Sequence, residues 1–267
     1  MIKEFKLGSS QLHYLEIGDH TNTTLVFLHG LGASHEQYLP QVEALKDRYH
    51  LIIPDLRGNG RSSVLDMPVE DVLSTQAEDI SRLLNDLQVE SCWIVGVSYG
   101  GVLAYRIALD SPELVRGLII CDSFSDSVPQ DFIEKLNMQL IRISLPLYHA
   151  RGFLAWSLGN AYRKWPIARD FFINEMKKLR SKEVTLQRKA INEVNYTDEL
   201  KKIKIPVLGI VGEKAAILVR SMRRSMEELN HSELVILPDS IDPSNLCRVQ
   251  EFNELVDDFI RDNDDKI

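Results

Sequence analysis

The feature of this sequence that most restricts its fold is the ten-residue stretch Cys92–Gly101. A short apolar run leads into Gly96-x-Ser98-x-Gly100, and a helical pattern of apolar residues follows. This order predicts a strand, a sharp turn and a helix, with the serine hydroxyl exposed at the turn as a nucleophile. Small residues beside the serine permit the tight turn, and the helix N-terminus directs free N–H groups at whatever the serine attacks. The alternative is a glycine-rich turn in which the serine has no chemical role.

Apolar runs and helical patterns alternate along most of the chain. The runs that indicate strands are residues 2–7, 11–17, 24–28, 50–54, 92–95, 118–121, 205–212 and 233–238. The first two alternate apolar and polar residues around a glycine-containing turn, which is typical of an antiparallel hairpin at a sheet edge. The whole pattern predicts an α/β fold class: a mostly parallel, doubly wound sheet of about eight strands, with a site at the C-terminal ends of the strands.

Residues 124–196 lack a clear strand, and their helical segments are interrupted by proline and glycine. Half of the chain's aromatic residues lie in this quarter of its length. We therefore predict an α-helical cap at 124–196, inserted after the sixth strand into a core formed by 1–123 and 197–267. The rings either face a pocket under the cap or only pack its helices together. The candidates for the pocket are Phe132, Trp156, Trp165 and Phe171.

Four ordered segments carry a resemblance to a known family. They are His29-Gly30-Leu31-Gly32, the turn 55–62 (Asp-Leu-Arg-Gly-Asn-Gly-Arg-Ser), the Ser98 turn and the helical insert. Over essentially its full length the chain resembles the α/β-hydrolase family, in particular small bacterial carboxylesterase-like or carbon–carbon-bond hydrolase-like members. The resemblance implies that Ser98 attacks a carbonyl carbon, and that the N–H groups of Leu31 and Tyr99 form the oxyanion hole.

The sequence departs from the family pattern at the two residues that handle protons. The acid usually follows the seventh strand, where this chain has Ala215, and the histidine usually follows the last strand, where this chain has Asp242. Among the histidines, His29 is expected to brace its own loop, while His35 and His149 lack the family's position. An aspartate with a pKa near its usual value of about 3.9 is a weak base towards a serine, unless burial raises that pKa.

Asp122 offers a second carboxylate at the end of the sixth strand, where some family members carry their acid. The interpretation favoured here is that it braces nearby backbone.

Three functions fit these observations. The first is an acyl-ester hydrolase whose altered triad leaves it impaired, inactive or engineered. The second is a non-catalytic protein that binds a small ligand, and the third is a rewired catalyst in which Ser98 works with Asp242. The first is favoured because the Ser98 turn and the oxyanion loop remain.

Charge and composition restrict the partners and the location. The net charge of −8 disfavours nucleic acid, which is bound by basic surfaces. The N-terminus has no signal-peptide core and no apolar run reaches the length of a membrane span, so we expect a cytoplasmic protein without a membrane partner. The expected ligand is a small apolar ester or carbonyl compound, with neither a metal nor an organic cofactor. The oligomeric state is left open.

Overall fold

The fold is built on one eight-stranded sheet. The computed structural model describes residues 2–264, so residue 1 and residues 265–267 of the predicted core lie outside the described part. The strands are β1 (Ile2–Leu7), β2 (Ser10–Ile17), β3 (Thr24–Leu28), β4 (His50–Pro54), β5 (Cys92–Val97), β6 (Val115–Cys121), β7 (Val207–Gly212) and β8 (Ser232–Leu237). Their order across the sheet is β1-β2-β4-β3-β5-β6-β7-β8. The pairs β1–β2 and β2–β4 are antiparallel and the other neighbouring pairs are parallel, which confirms the predicted fold class.

Helices cover both faces of the sheet. They are α1 (Leu39–Leu45), α2 (Val72–Asp86), α3 (Tyr99–Asp110), α4 (Phe132–Ser144), α5 (Arg151–Ala161), α6 (Pro166–Lys178), α7 (Ser181–Ile191), α8 (Ala216–Glu227), α9 (Ser244–Cys247) and α10 (Val249–Asp264). Helix α2 shows the amphipathic spacing clearly, because Ile80, Leu83 and Leu84 recur at helical intervals and are all buried. Helices α4–α7 form the cap, inserted between β6 and β7 as predicted. Among the described helices, none combines the length and apolar character needed to cross a bilayer.

The centre of the sheet places the candidate site. Strands β3, β5 and β7 are buried along their lengths, and β6 is buried except at Arg116, as expected for parallel strands covered on both faces. The loops after these strands, and after β8, therefore meet at one edge. That edge brings together five segments far apart in sequence: the loop 29–31, Ser98, Asp122, Ala215 and Asp242.

Candidate active site

Ser98 lies at the turn between β5 and α3 in a strained backbone conformation. Its φ is 53° and its ψ is −114°, a region that residues other than glycine rarely occupy. Such a conformation costs about 1–3 kcal/mol and persists only where the surroundings hold it. Here the Ser98 N–H donates to the carbonyl of Cys121 at 2.8 Å, and its own carbonyl accepts from Oγ of Ser123 at 2.7 Å. Both ends of the serine backbone are thus tied to the end of β6 and the residues after it.

The glycines on either side of Ser98 are required by close backbone packing. A Cβ atom at Gly96 would overlap the carbonyl oxygen of Gly100. A Cβ atom at Gly100 would in turn overlap the carbonyl oxygen of Leu28, at the end of β3. The Gly-x-Ser-x-Gly pattern therefore reflects the tight crossing of strand, turn and helix.

The loop after β3 runs beside Ser98. A methyl group placed on Gly30 would lie 3.8 Å from the serine Cβ. His29 fixes this loop, because its Nδ1–H donates to the carbonyl of Gly30 at 2.8 Å and its Nε2 accepts from the N–H of Leu56 at 3.0 Å. Burial lowers the pKa of His29, so the ring is neutral, as this pattern of one donor and one acceptor requires. His29 is therefore a bracket for the loop rather than a base.

The two predicted oxyanion donors flank this arrangement. Tyr99 is the first residue of α3, so its N–H has no acceptor within the helix. Leu31 follows Gly30 in the braced loop. Their proximity to Ser98 is consistent with the oxyanion role, which stays a prediction.

Asp242 and Ser98 line one cavity, and interaction with the serine hydroxyl favours the charged form of the Asp242 carboxyl. Burial is the largest influence on this group, and together with the negative charge of Asp122 it raises the pKa of Asp242 to about 8. The interaction with Ser98 and the positive charge of Arg188 oppose that rise. Asp242 is therefore mostly protonated at neutral pH and becomes a base in mildly alkaline solution.

Asp122 holds the neighbouring backbone, as expected. Its oxygens accept from the N–H of Gly212 at 2.8 Å, the N–H of Ser244 at 2.6 Å and the Ser244 hydroxyl at 3.0 Å. Burial raises the pKa of Asp122, while these hydrogen bonds favour its charged form. Of the two neighbouring carboxyls, Asp122 is thus better equipped to hold the negative charge, which makes ionisation of Asp242 harder.

Ala215 precedes α8 and lines the same cavity as Ser98 and Asp242, so the structure brings all three positions together. Its methyl group has no capacity to orient a base. The neighbouring Glu213 does not replace it, because Glu213 is exposed and accepts instead from the N–H of Asp239 at 3.0 Å.

All seven histidines fall within residues 2–264, and none of them lines the cavity that contains Ser98. His35 pairs with Asp55 at 2.8 Å in a different cleft, and His149 is exposed on the cap. Neither is in place to act on the serine. Groups of three or more His, Cys, Asp or Glu side chains suited to a metal ion are absent from the described residues.

The cavity above Ser98 has a volume of about 490 Å³, and its mostly apolar lining includes several polar side chains. Its cap side includes Asp126, Asn137, Asn192 and Arg188. Nε of Arg188 is buried and has no hydrogen-bond partner among the protein atoms of the described residues. Burial lowers the pKa of Arg188, although the usual value is so high that the guanidinium stays charged. Arg188 thus contributes a positive charge to the cavity lining.

The four aromatic residues predicted to face the pocket lie outside this cavity, which corrects that expectation. Phe132 and Trp156 are 78% and 66% exposed on the outer surface of the cap. Trp165 and Phe171 pack beside the loop that carries Asp242, and Nε1 of Trp165 donates to the carbonyl of Asp239 at 3.1 Å. Tyr162 adds a hydrogen bond to the carbonyl of Asp242. The rings of Tyr162, Trp165 and Phe171 therefore pack against the loop that carries Asp242 and do not line the cavity.

Arg188 was missed by the sequence analysis. It lies on α7 within a segment rich in charged residues, where most lysines and arginines point to solvent. The available signal is weak: Val184, Gln187 and Ile191 mark the buried face of the helix, and Arg188 lies at its margin. Which edge of the buried face of α7 points into the cavity depends on how the cap helices pack on the core.

The sheet order and the strained serine at the end of a central strand define the class of α/β hydrolases. The model for the alpha/beta hydrolase fold matches residues 23–148, so this part of the chain is similar to that family. A Rhizobium rhizogenes protein named carbamate hydrolase RutD is 28% identical over 250 residues, with 89% of this chain and 92% of the relative covered. The 3-oxoadipate enol-lactonase 2 of Acinetobacter baylyi is 25% identical over 249 residues, with 92% and 91% covered. A thermophilic esterase from Thermogutta terrifontis has the same fold, with a TM-score of 0.83, 21% identity and 98% of each chain covered.

Proposed function

We propose that this chain hydrolyses an acyl ester, with Ser98 as nucleophile and Asp242 in place of the family's histidine as base. The observation that carries the proposal is that Asp242 lines the same cavity as Ser98, interacts with its hydroxyl and has a pKa raised to about 8. A general base is most effective when its pKa lies near the working pH, and this pKa is close to that condition. The coarser conclusion, a hydrolase fold with relatives named as hydrolases, underlies it.

The proposed reaction has two halves. The Asp242 carboxylate takes the hydroxyl proton as Ser98 attacks the carbonyl carbon, and the N–H groups of Leu31 and Tyr99 receive the oxyanion. The protonated Asp242 then returns the proton to the departing alkoxide, which leaves an acyl group on Ser98. In the second half Asp242 removes a proton from water, which attacks the acyl carbon. The bond to Ser98 Oγ then breaks, Asp242 passes the proton to that oxygen, and the free acid is released. Turnover is slow at pH 7, because most of the base is protonated there.

The test is hydrolysis of a p-nitrophenyl acyl ester between pH 6 and pH 10, corrected for spontaneous hydrolysis. We expect the rate to rise through pH 8 and level off above it, and Ser98→Ala to abolish the enzymatic part. Asp242→Asn should lower kcat/KM by about 10²-fold or more at pH 9 and by much less at pH 6. A wild-type rate independent of Asp242 at every pH would exclude the rewired pair.

Arg188 in the cavity lining suits a small substrate that carries a negatively charged group beside its apolar part. Arg188 presents a charged group that a carboxylate of the substrate would satisfy. Esters of a dicarboxylic acid should therefore be preferred over neutral esters of equal length, and Arg188→Met should remove the preference. Lys189→Met, an exposed neighbour on α7, is the matched control and should leave it unchanged.

A second candidate is a small-ligand binding protein without turnover. One observation favours it: Asp242 is mostly protonated at neutral pH, and the cavity contains none of the chain's histidines. In that case mass spectrometry of the protein under native conditions should detect a bound small molecule, and Ser98→Ala should retain it. Steady turnover that disappears in Ser98→Ala would contradict this candidate.

A further inference from the structure

Large exposed apolar side chains are concentrated on the cap. Of the thirteen such residues in the described part of the chain, ten lie between Val128 and Ile167. Isolated exposed apolar residues are normal on a protein surface, whereas a concentration marks an interaction site. Apart from Val128, these residues do not line the cavity at Ser98, so the proposed reaction does not account for them.

Eight of these residues follow one another along α4, a 3₁₀ turn at Leu145–His149, and α5. We call them the cap face: Phe132, Ile133, Leu136, Leu140, Ile143, Leu147, Phe153 and Trp156. The α4 members recur at intervals of three and four residues, so they share one side of the helix, while Glu134 faces inward. The rings of Phe153 and Trp156 lie 6.0 Å apart, yet each is more than half exposed. The cap face is thus an amphipathic helical surface.

Within the segment 132–164 the exposed charged side chains are all basic, while the exposed Asp131 and Glu193 border it and pair with Arg220 and Arg142. Between residues 132 and 164 there are five basic residues, all of them exposed: Lys135, Arg142, Arg151, Arg163 and Lys164. Arg142 and Lys164 form ion pairs with acidic residues outside this segment. The single acidic residue of the segment, Glu134, is buried and paired with Arg224 at 2.9 Å. The rest of the chain is strongly acidic, because the net charge of the whole is −8.

We infer that the cap face binds the surface of an anionic lipid bilayer. Helices that lie in a membrane interface combine exposed leucine, phenylalanine and tryptophan with lysine and arginine, which are attracted to anionic headgroups. A second copy of the chain is disfavoured as the occupant, since two cap faces of the same positive charge would meet. The acidic core would be repelled by such a bilayer, so the cap would be directed towards the lipid. This proposal differs from the expectation of no membrane partner that the sequence suggested.

The test is sedimentation of the full chain with large unilamellar vesicles, either of phosphatidylcholine or of phosphatidylcholine and phosphatidylglycerol in equal parts. We expect binding to the anionic vesicles only, weakened by raised salt. The fluorescence of Trp156 should shift to shorter wavelength on binding, and a Trp156→Phe variant identifies its contribution. Failure of the wild-type chain to bind anionic vesicles, or equal binding to both compositions, would overturn the inference.

Two pairs of variants separate the apolar and the charged contributions. Leu140→Gln with Ile143→Gln should abolish sedimentation, whereas Leu39→Gln with Val64→Gln, exposed apolar residues outside the cap, should leave it unchanged.

Lys135→Glu with Arg151→Glu should weaken binding at least about thirtyfold, since each basic residue near the surface is worth about a factor of five. Lys6→Glu with Lys204→Glu makes the same change of net charge on the core and should have a much smaller effect. Equal losses in cap and core variants would refute the inference. So would concentration-dependent dimerisation that the cap variants abolish, because it would assign the cap face to a second copy.

Discussion

Replacing Asp242 by asparagine should make the stability of the protein less dependent on pH. Burial and the charge of Asp122 raise the pKa of Asp242 from 3.8 to about 8 in the folded protein, whereas the unfolded chain keeps the lower value. Between these two values the folded state holds a proton that the unfolded state has lost. The free energy of unfolding therefore falls as pH rises from about 4 to 8, and this contribution is constant above 8. Asparagine resembles the protonated carboxyl in shape and has no charge to lose.

The size of the effect follows from the same pKa values. The full difference between 3.8 and about 8 corresponds to about 6 kcal/mol between the two extremes of pH. Asp242 lines a cavity that admits water, and its ionisation is coupled to that of Asp122. We therefore expect about half of the full free-energy difference, ~3 kcal/mol. Asp242→Asn should thus be within about 1 kcal/mol of the wild type at pH 5 and about 3 kcal/mol more stable at pH 9.

The assay is urea unfolding followed by tryptophan fluorescence at pH 5, 7 and 9 and constant ionic strength. Other titrating groups are common to both proteins, so the difference between them isolates position 242 and the carboxyls coupled to it. Asp66→Asn, at an exposed aspartate away from the cavity, is the control and should show the same small difference at every pH. If the Asp242→Asn difference is also equal at pH 5 and pH 9, burial does not raise the pKa, and the proposed base loses its physical basis.

Three further predictions concern the surroundings of the serine. Asp242→His combined with Ala215→Asp and Ile241→Gly gives the chain the family's pattern of acid and histidine. This variant should raise kcat/KM for a p-nitrophenyl ester at pH 7 by at least about 10²-fold. A folded but inactive variant would argue against an intact oxyanion site. Tyr162→Phe removes the hydrogen bond to the carbonyl of Asp242, so thermal unfolding should show a loss of about 1 kcal/mol, while an unchanged midpoint would mean that the bond contributes nothing. His29→Leu leaves the carbonyl of Gly30 and the N–H of Leu56 without their hydrogen-bond partner. Urea unfolding should therefore show a free energy of unfolding lower by about 2–4 kcal/mol. The pKa in the pH–rate profile should stay near 8, because His29 is not the base.

Local patterns predicted the fold and the position of the serine well. The strand-to-helix turn at Ser98 is encoded within a few residues, because Gly96 and Gly100 are needed wherever the backbones cross so closely. The alternation of apolar runs and helices likewise predicted the parallel sheet and the insertion of α4–α7. The spacing at the chain's end placed Asp242 beside the serine's cavity.

The cap was predicted less well, for a physical reason. Aromatic residues bury large areas wherever they pack, so their abundance indicates packing without specifying the partner. Trp165 and Phe171 turned out to pack beside the Asp242 loop, while Phe132 and Trp156 face outward. The side of each cap helix that docks on the core is set by contacts between distant segments, which periodicity alone does not identify.

The sequence by itself determined the doubly wound sheet and the serine at its central turn, since each depends on short-range pattern and order along the chain. Only the tertiary structure decided the chemical character of Asp242. The basicity of Asp242 depends on burial, on Asp122 from another strand end and on Arg188 from the cap. These groups are distant in sequence and meet only when the sheet edge and the cap enclose one cavity, so a pKa near 8 is a property of the folded protein.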